Sequence, residues 1–213
     1  MCAGVLAVFT SASAQILPPG YVLPNTDPTA ANAAFATVAA LYARKATGRG
    51  QHVEASLLQT ALTVSNAPLV EQQLRKLDRV ATGNRSQIAG PSDAFQTRDG
   101  WILAQVIGQP LFERWCSLVG EPAFRSDPRF ASDASRGENG VILSERMARW
   151  CAERTTREAL AELDAANIPA GPVYSPAQAV DDPHVRQAQI LRDVDFPGLP
   201  VPAPISDTPV RFS

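Results

Sequence analysis

The sequence predicts an α/β fold, and three observations carry that prediction. An alanine-rich run over 30–44 contains neither glycine nor proline, which is typical of an α-helix. The run 51–57 alternates apolar and polar residues, as a half-buried β-strand does. Further along, 94–108 has the pattern of a β-hairpin followed by helical spacing. Helices and strands in this order are expected to pack as layers around a sheet.

Start and stop signals bound the first helix. Asp27 can accept hydrogen bonds from the amides of the first turn, and Pro28 suits the first helical position. Arg44 and Lys45 fall in the last turn, where positive charge favours the negative end of the helix dipole. Gly48 then ends the helix. Because apolar residues cover every face of the run, we expect this helix to be buried on all sides.

The remaining elements follow from periodicity and turn residues. The run 58–77 returns to helical spacing. The pair Asp99-Gly100 between two alternating runs indicates a hairpin turn. Helical spacing or alternation then predicts helices over 110–119, 141–154 and 155–166, and strands over 168–174 and 188–196. A capping box at Thr155 and Glu158 introduces the last of these helices.

The composition is that of an ordinary globular protein. Of the 213 residues, 45% are hydrophobic and 19% are charged, and the net charge is −2. This charge gives no electrostatic argument for nucleic acid or an anionic membrane as a partner. No apolar run approaches the roughly 20 residues that a transmembrane helix needs. We therefore predict neither nucleic-acid binding nor membrane insertion.

The cysteines and histidines argue against a metal site and for a reducing compartment. Cys2, Cys116 and Cys151 are odd in number and lack metal-binding spacing, so we interpret them as free thiols. Free thiols are typical of the cytoplasm, where we expect this chain to reside. Two histidines are too few for a histidine-based metal site, and none is predicted.

A set of short motifs spread over the chain resembles one known family. The motifs are ALYARKATGRGQHVEASLLQTAL at 40–62, Gly83-Asn84-Arg85, RDGW at 98–101, DPRF at 127–130 and IPAGPV at 168–173. Together, in this order, they resemble the class III coenzyme A transferases, the formyl-CoA transferase and carnitine-CoA transferase group, which includes the α-methylacyl-CoA racemases. In that family an aspartate precedes a buried helix that ends in an R-x-x-T-G-x-G-Q turn, here Arg44–Gln51.

The resemblance implies a domain plan. Residues 1–79 would be the remnant of a Rossmann-like large domain that carries the nucleophile helix. Residues 80–93, rich in glycine, proline, serine and asparagine, would be a linker or an active-site loop. Residues 94–192 would form a small α+β domain, and 193–213 an extended segment returning toward the large domain. The family's N-terminal CoA-binding half and its C-terminal end would be absent.

The N-terminal segment 1–14 has two interpretations. Its short apolar core and A-x-A-like end resemble a signal peptide, but it lacks a positively charged beginning. It also resembles the small-residue segment that precedes the family's aspartate by roughly twenty residues. We favour the second interpretation, on which Met1 is not a natural start.

The resemblance also implies a chemistry. Asp27 would be the nucleophile that forms covalent acyl and CoA intermediates, although a plain helix cap is the alternative interpretation of this residue. Gly83, Asn84, Arg85 and Gly90 would belong to the loop that covers the reacting aspartate and would contact substrate. Coenzyme A would be a substrate, and no cofactor would be bound permanently. The partners would be an acyl-CoA, a carboxylic acid and a second copy in an interlocked homodimer.

Two other functions remain open. A racemase of the same family would need bases on both faces of the α-carbon, and the related racemases carry a glutamate just after the second hairpin strand. Here that place reads Gly108-Gln109, which favours transfer. The chain could also be catalytically inactive on its own and act as a binding partner.

Overall fold

The computed structural model describes residues 28–207 and residue 210, and for residues 7–8 it describes the backbone alone. The prediction for Asp27 lies outside the described residues, as do those for the segment 1–14 apart from residues 7–8. The chain divides into two compact units, Met1–Val80 and Ala81–Ser213. Each unit is mixed helix and strand, as the α/β prediction requires.

The first unit is built around the predicted alanine-rich helix. This helix, α1, spans Pro28–Thr47. It ends where the sequence indicated, because Gly48 adopts a φ of +68° and donates its N–H to the carbonyl of Arg44 at 2.8 Å. Beside it, strands β1 (Ala7–Val8) and β2 (Val53–Glu54) pair in parallel.

Two predictions for the first unit need correction. The strand predicted over 51–57 is shorter, because the Ser56 side chain caps the next helix, α2 (Leu57–Val64), by accepting from the amide of Gln59. The helix predicted over 58–77 is divided into α2 and α3 (Asn66–Arg75). Pro68 explains the break, since it has no N–H to continue the α2 hydrogen-bond ladder and its ring would collide with the preceding turn.

The prediction that α1 is buried on all sides is wrong. Of its residues, only Thr29, Ala33 and Ala40 are buried. Phe35 remains 78% exposed and Tyr42 77% exposed. The helix has apolar residues on every face, but the described elements of its own unit cover only a narrow strip of it.

The second unit contains a three-stranded antiparallel sheet. Its strands are β3 (Ser92–Gln96), β4 (Trp101–Gln105) and β5 (Ala170–Pro172), in that spatial order. The predicted hairpin is confirmed, with Gln96 opposite Trp101 and a turn through Asp99-Gly100. Along β4 exposure alternates, so that one face of the sheet is buried and the other is open.

Four helices accompany this sheet, and the last two of them pack directly against its strands. They are α4 (Gln109–Leu118), α5 (Asp133–Glu138), α6 (Gly140–Ala152) and α7 (Thr156–Ala165). Short 3₁₀ turns at Pro122–Arg125 and Pro128–Phe130 join α4 to α5. The 3₁₀ turns and α5 lie in a region predicted only as a polar connection. A single apolar core results, which includes Phe95, Ile102, Trp115, Leu143 and Leu163.

The predicted capping box of α7 is confirmed. The Thr155 hydroxyl accepts from the amide of Glu158, and the Glu158 carboxylate accepts from the amide of Thr155. Asp99 in the hairpin turn adds a further contact, because it accepts from the amide and the hydroxyl of Thr156 at 2.7 and 2.9 Å. The hairpin turn and the start of α7 are thereby joined.

The end of the described chain forms a second hairpin. After α8 (Pro176–Asp181) and α9 (Pro183–Gln187), strand β6 (Leu191–Val194) pairs antiparallel with β7 (Ala203–Ser206). The sequence predicted β6 but gave β7 only as extended chain. None of the helices in the described part of the chain has the length and apolarity needed to cross a bilayer.

Candidate functional site

The loop over 81–91, which opens the second unit, carries the predicted substrate-contacting residues. Gly83 has a φ of +71° and lies with Asn84 in an exposed turn. Arg85 is half-buried, and Gly90 is buried. The structure therefore brings Gly83, Asn84 and Arg85 together at the tip of the loop and places Gly90 at its base.

Hydrogen bonds within the loop give its tip a defined shape. The Thr82 hydroxyl donates to the carbonyl of Arg85 at 2.7 Å and accepts from the side-chain amide of Gln87 at 3.3 Å. At the base, the amide of Ser86 donates to the carbonyl of Ser92 at 2.8 Å. These contacts join the turn to the rest of its loop and to the beginning of β3.

A buried arginine lies beneath this loop. Arg136 of α5 is only 1% exposed. Its Nε donates to the carbonyl of Phe130 at 2.8 Å, and its Nη1 donates to the carboxylate of Asp133 at 2.9 Å. Its Nη2 donates to the side-chain oxygen of Gln109, and its guanidinium carbon lies 4.1 Å from the centre of the Phe112 ring. Every face of the guanidinium thus has a partner, as a buried charge requires.

The corner after β4 is part of the same network. Both carboxylate oxygens of Asp133 accept from the amide of Gly108 at 3.0 Å. Gln109, which accepts from Arg136, donates to the carboxylate of Glu113 at 2.9 Å. At the place where the related racemases carry a glutamate, this chain therefore has a neutral amide committed to structural hydrogen bonds.

Sequence reasoning missed this network, although a signal was present. The spacing Asp133-x-x-Arg136 is the i, i+3 arrangement that allows an ion pair on a helix. It went unused because the surrounding residues were interpreted as a polar connection rather than a helix.

The two described cysteines are unsuited to nucleophilic chemistry. Cys116 and Cys151 are both free and fully buried. Burial raises the pKa of Cys116 to about 11 and that of Cys151 to about 12. Both therefore remain protonated at neutral pH, whereas the thiolate is the reactive form. The interpretation of these two cysteines as free thiols is confirmed.

The remaining ionisable groups of interest serve the fold. Hydrogen bonds from Thr156 hold the pKa of Asp99 below its usual value, and those from Thr155 do the same for the pKa of Glu158. His184 is exposed. Within the described residues, no group of histidine, cysteine and carboxylate side chains could hold a metal ion.

Comparisons with known proteins place these observations in a family context. The family model for CoA-transferase family III matches residues 2–213. Succinyl-CoA--D-citramalate CoA-transferase of Chloroflexus aurantiacus is 30% identical over 168 residues, which are 78% of this chain and 42% of that relative. Formyl-CoA:oxalate CoA-transferase of Bradyrhizobium sp. is 27% identical, with 83% of this chain and 48% of that relative covered. The chain thus spans less than half the length of these relatives.

Solved structures are similar over the same extent. The Mycobacterium tuberculosis protein Rv3272 superimposes with a TM-score of 0.67 at 25% identity, covering 87% of this chain and 47% of that protein. A CAIB/BAIF family protein from Brucella suis gives a TM-score of 0.65 at 24% identity and the same coverage, and it is similar in fold. The described arrangement of helices and small sheets is therefore a known one.

Proposed function

Because the chain belongs to CoA-transferase family III, we propose that it takes part in the transfer of coenzyme A from an acyl-CoA to a carboxylic acid. The observation that carries the proposal is the family match over residues 2–213. The names of the relatives, which pair succinyl-CoA or formyl-CoA with a carboxylic acid, support it. Coenzyme A is a substrate in this proposal, and no permanently bound cofactor is needed.

Asp27 is the proposed nucleophile. Its carboxylate attacks the thioester carbonyl, the C–S bond breaks, and CoA leaves as the thiolate. The thiolate then attacks the aspartyl carbonyl of the mixed anhydride, which releases the first carboxylic acid and leaves an aspartyl-CoA thioester. The acceptor carboxylate then attacks the aspartyl-CoA thioester, which forms a second mixed anhydride and again releases the CoA thiolate. The thiolate attacks the acyl carbonyl of the acceptor, so the new acyl-CoA departs and the Asp27 carboxylate is restored. The start of α1, directly after Asp27, supplies amide groups suited to stabilising the oxyanions.

The loop tip at Gly83, Asn84 and Arg85 is the proposed substrate contact, with Gly90 at its base. The exposure of the turn supports this role, and so does the charge of Arg85. Among the described residues, Arg85 forms no ion pair, so its guanidinium is available for a carboxylate or a phosphate. Excluding water from the anhydride would be the second task of this loop.

The domain plan and the assembly belong to the same proposal. We assign 1–79 to the large domain, 80–93 to the active-site loop, 94–192 to the small domain and 193–213 to a return segment. An interlocked homodimer is supported by the apolar surface of the first unit, where Leu74 is 77% exposed and Phe35 and Tyr42 of α1 are exposed to a similar degree. A cytoplasmic location is supported by the free thiols of the second unit.

Racemisation is the less favoured activity. It needs a base near the corner after β4, where Gln109 is neutral. The nearby Asp133 carboxylate is already engaged by Gly108 and Arg136. An inactive chain that serves as a binding partner is the remaining alternative, and the experiment below separates all three.

The test is chemical trapping with the 213-residue chain. The protein is incubated with succinyl-CoA or formyl-CoA in the presence of hydroxylamine, which converts an activated aspartyl group to a hydroxamate, and the modified peptide is identified by mass spectrometry. We expect the hydroxamate at Asp27, with no modification in Asp27→Asn. Asp193→Asn, which changes an exposed aspartate of β6, is the matched control and should behave as wild type.

The three alternatives, which are transfer, racemisation and an inactive binding partner, give different results in this experiment. Deuterium incorporation at the α-carbon of 2-methylacyl-CoA in heavy water, without a hydroxamate, would indicate a racemase. Absence of both signals would indicate the inactive partner and would contradict the proposed transfer.

A further inference from the structure

Glycines at three positions line the contact between the candidate loop and helices α5 and α6. Gly90 belongs to the loop itself, Gly137 to α5, and Gly140 begins α6. All of them have φ values that any residue can adopt, so their backbone conformation does not require glycine. The space around Gly137 and Gly90 gives a reason for the absence of a side chain there, whereas a β-carbon on Gly140 would make an ordinary contact.

Gly137 is in the closest contact. A β-carbon at this position would overlap the carbonyl oxygen of Gln87 and would stand 2.5 Å from its carbonyl carbon and 2.8 Å from the amide nitrogen of Ile88. These are backbone atoms and cannot rotate away. Glycine within a helix is less favourable than alanine, so this helix carries a destabilising residue at the point where the loop meets it.

Gly90 and Gly140 extend the same contact on either side. A β-carbon on Gly90 would lie 3.0 Å from the carbonyl oxygen of Arg136 and 3.2 Å from a methyl carbon of Leu143. A β-carbon on Gly140 would lie 3.4 Å from Nη1 of Arg85. The Arg85 side chain, at the loop tip, therefore lies across the beginning of α6.

Hydrogen bonds on the side away from the loop restrain helix α5. Arg136, the residue before Gly137, donates to Phe130 and Gln109, which lie outside α5. Asp133 of α5 accepts from the amide of Gly108. These contacts limit movement of α5 away from the loop. Any side chain added at Gly137 must consequently displace the loop rather than the helix.

We propose that Gly137 is a positioning residue. Because it has no side chain, the backbone of the 81–91 loop lies directly against α5, and this contact sets the position of Gly83, Asn84 and Arg85. The proposal rests on the proposed function, in which this loop tip contacts the substrate. Gly137 itself touches no substrate in this proposal. It acts through the backbone of Gln87 and Ile88, and Arg136 supports it by joining α5 to Phe130 and Gln109.

The test compares Gly137→Ala with Gly171→Ala in the 213-residue chain. Gly171 in β5 is the matched control, since a β-carbon there meets nothing within 4 Å. Hydrogen–deuterium exchange of segment 82–90 reports the loop, and exchange of α4, α6 and α7 reports the core. Steady-state transfer from succinyl-CoA gives kcat and KM for each variant.

For Gly137→Ala we expect exchange over 82–90 to be at least about tenfold faster, while the core helices keep their protection. We expect kcat to fall by about 100-fold with a much smaller change in KM, because a displacement of about 1 Å can remove that much rate. Gly171→Ala should match wild type in both measurements. A role in stability alone would change the core protection and leave kcat of the folded protein unchanged.

The other outcomes overturn the proposal in distinguishable ways. Unchanged exchange over 82–90 would show that Gly137 does not set the loop. Faster exchange with unchanged kcat would remove the positioning role and leave the proposed transferase intact. A wild-type chain without transfer activity would overturn the proposed function and the positioning role together. If Gly137→Ala does not fold, Gly90→Ala replaces it. We expect the same pattern at smaller amplitude, because the closest contact there, 3.0 Å to the carbonyl oxygen of Arg136, is less severe than the overlap at Gly137.

Discussion

The two units of the chain bury their apolar residues to very different degrees. In the second unit Phe112 is completely buried, stacked on Trp115 at a centroid distance of 5.7 Å and 6.1 Å from Phe130. In the first unit Phe35 is 78% exposed on a helix whose sequence is just as apolar. The comparison teaches that apolar residues around a helix do not by themselves predict its burial, which depends on the elements that pack against it.

The largest expected effect tests this contrast directly. Phe112→Ala should lower the free energy of unfolding by about 3–5 kcal/mol, because it opens a cavity in a closed core. Phe35→Ala, the matched change on the exposed helix, should stay within about 0.5 kcal/mol at a protein concentration at which the chain is monomeric. Urea unfolding followed by circular dichroism measures both. A loss of similar size in the two variants would show that Phe35 is covered in solution, and the contrast would fail.

The buried arginine gives the next effect. Arg136→Met should cost about 3 kcal/mol, because it leaves Asp133 without its cation and Gln109 without its donor. Arg149→Met, on the exposed side of α6, is the matched control and should cost less than about 0.5 kcal/mol. The same unfolding measurement applies. Equal stability of the two variants would indicate that the network under the loop is dispensable.

The helix caps provide a finer comparison between the units. Thr155→Ala removes a reciprocal capping box and should cost about 1–2 kcal/mol. Ser56→Ala removes a single hydrogen bond of 3.4 Å at α2 and should cost about 0.5 kcal/mol. Thermal unfolding of both variants against wild type decides the order. A larger loss of stability in Ser56→Ala than in Thr155→Ala would contradict this order.

The smallest effect concerns acid stability. Hydrogen bonds from Thr156 stabilise the ionised form of Asp99, so its folded-state pKa lies below the unfolded value of about 3.9. Its contribution to stability is therefore complete above that unfolded value and is lost as the pH falls through the folded pKa. Unfolding free energies between about pH 3 and pH 6 should fall less steeply on acidification in Asp99→Asn than in wild type. Parallel pH profiles would contradict this role.

Local signals in the sequence were sufficient for much of the fold. The alanine-rich composition and Gly48 gave α1, Asp99-Gly100 gave the hairpin, and the Thr155–Glu158 pair gave the start of α7. Each depends on residues close together in the chain. The strand β7 escaped prediction because its proline suggested chain without a partner, yet proline is tolerated in the outer strand of a hairpin.

The candidate site was only partly accessible from the sequence. The motif at Gly83-Asn84-Arg85 drew attention to the loop, and the structure shows these residues at one exposed turn. The contact between Gln87 and Gly137 joins distant parts of the chain, and so does the hydrogen bond between Arg136 and Gln109, 27 positions apart. Such contacts are fixed by tertiary packing, which no periodicity or turn signal encodes.

The burial of Cys116 and Cys151 has a practical consequence. A thiol sealed in this way reacts with an alkylating reagent only while the surrounding core is open. In a Cys2→Ser background, the rate of iodoacetamide incorporation would therefore measure how often the second unit opens. Cys116 on α4 and Cys151 on α6 are thus natural probes of local opening in the core, and no further cysteine has to be introduced.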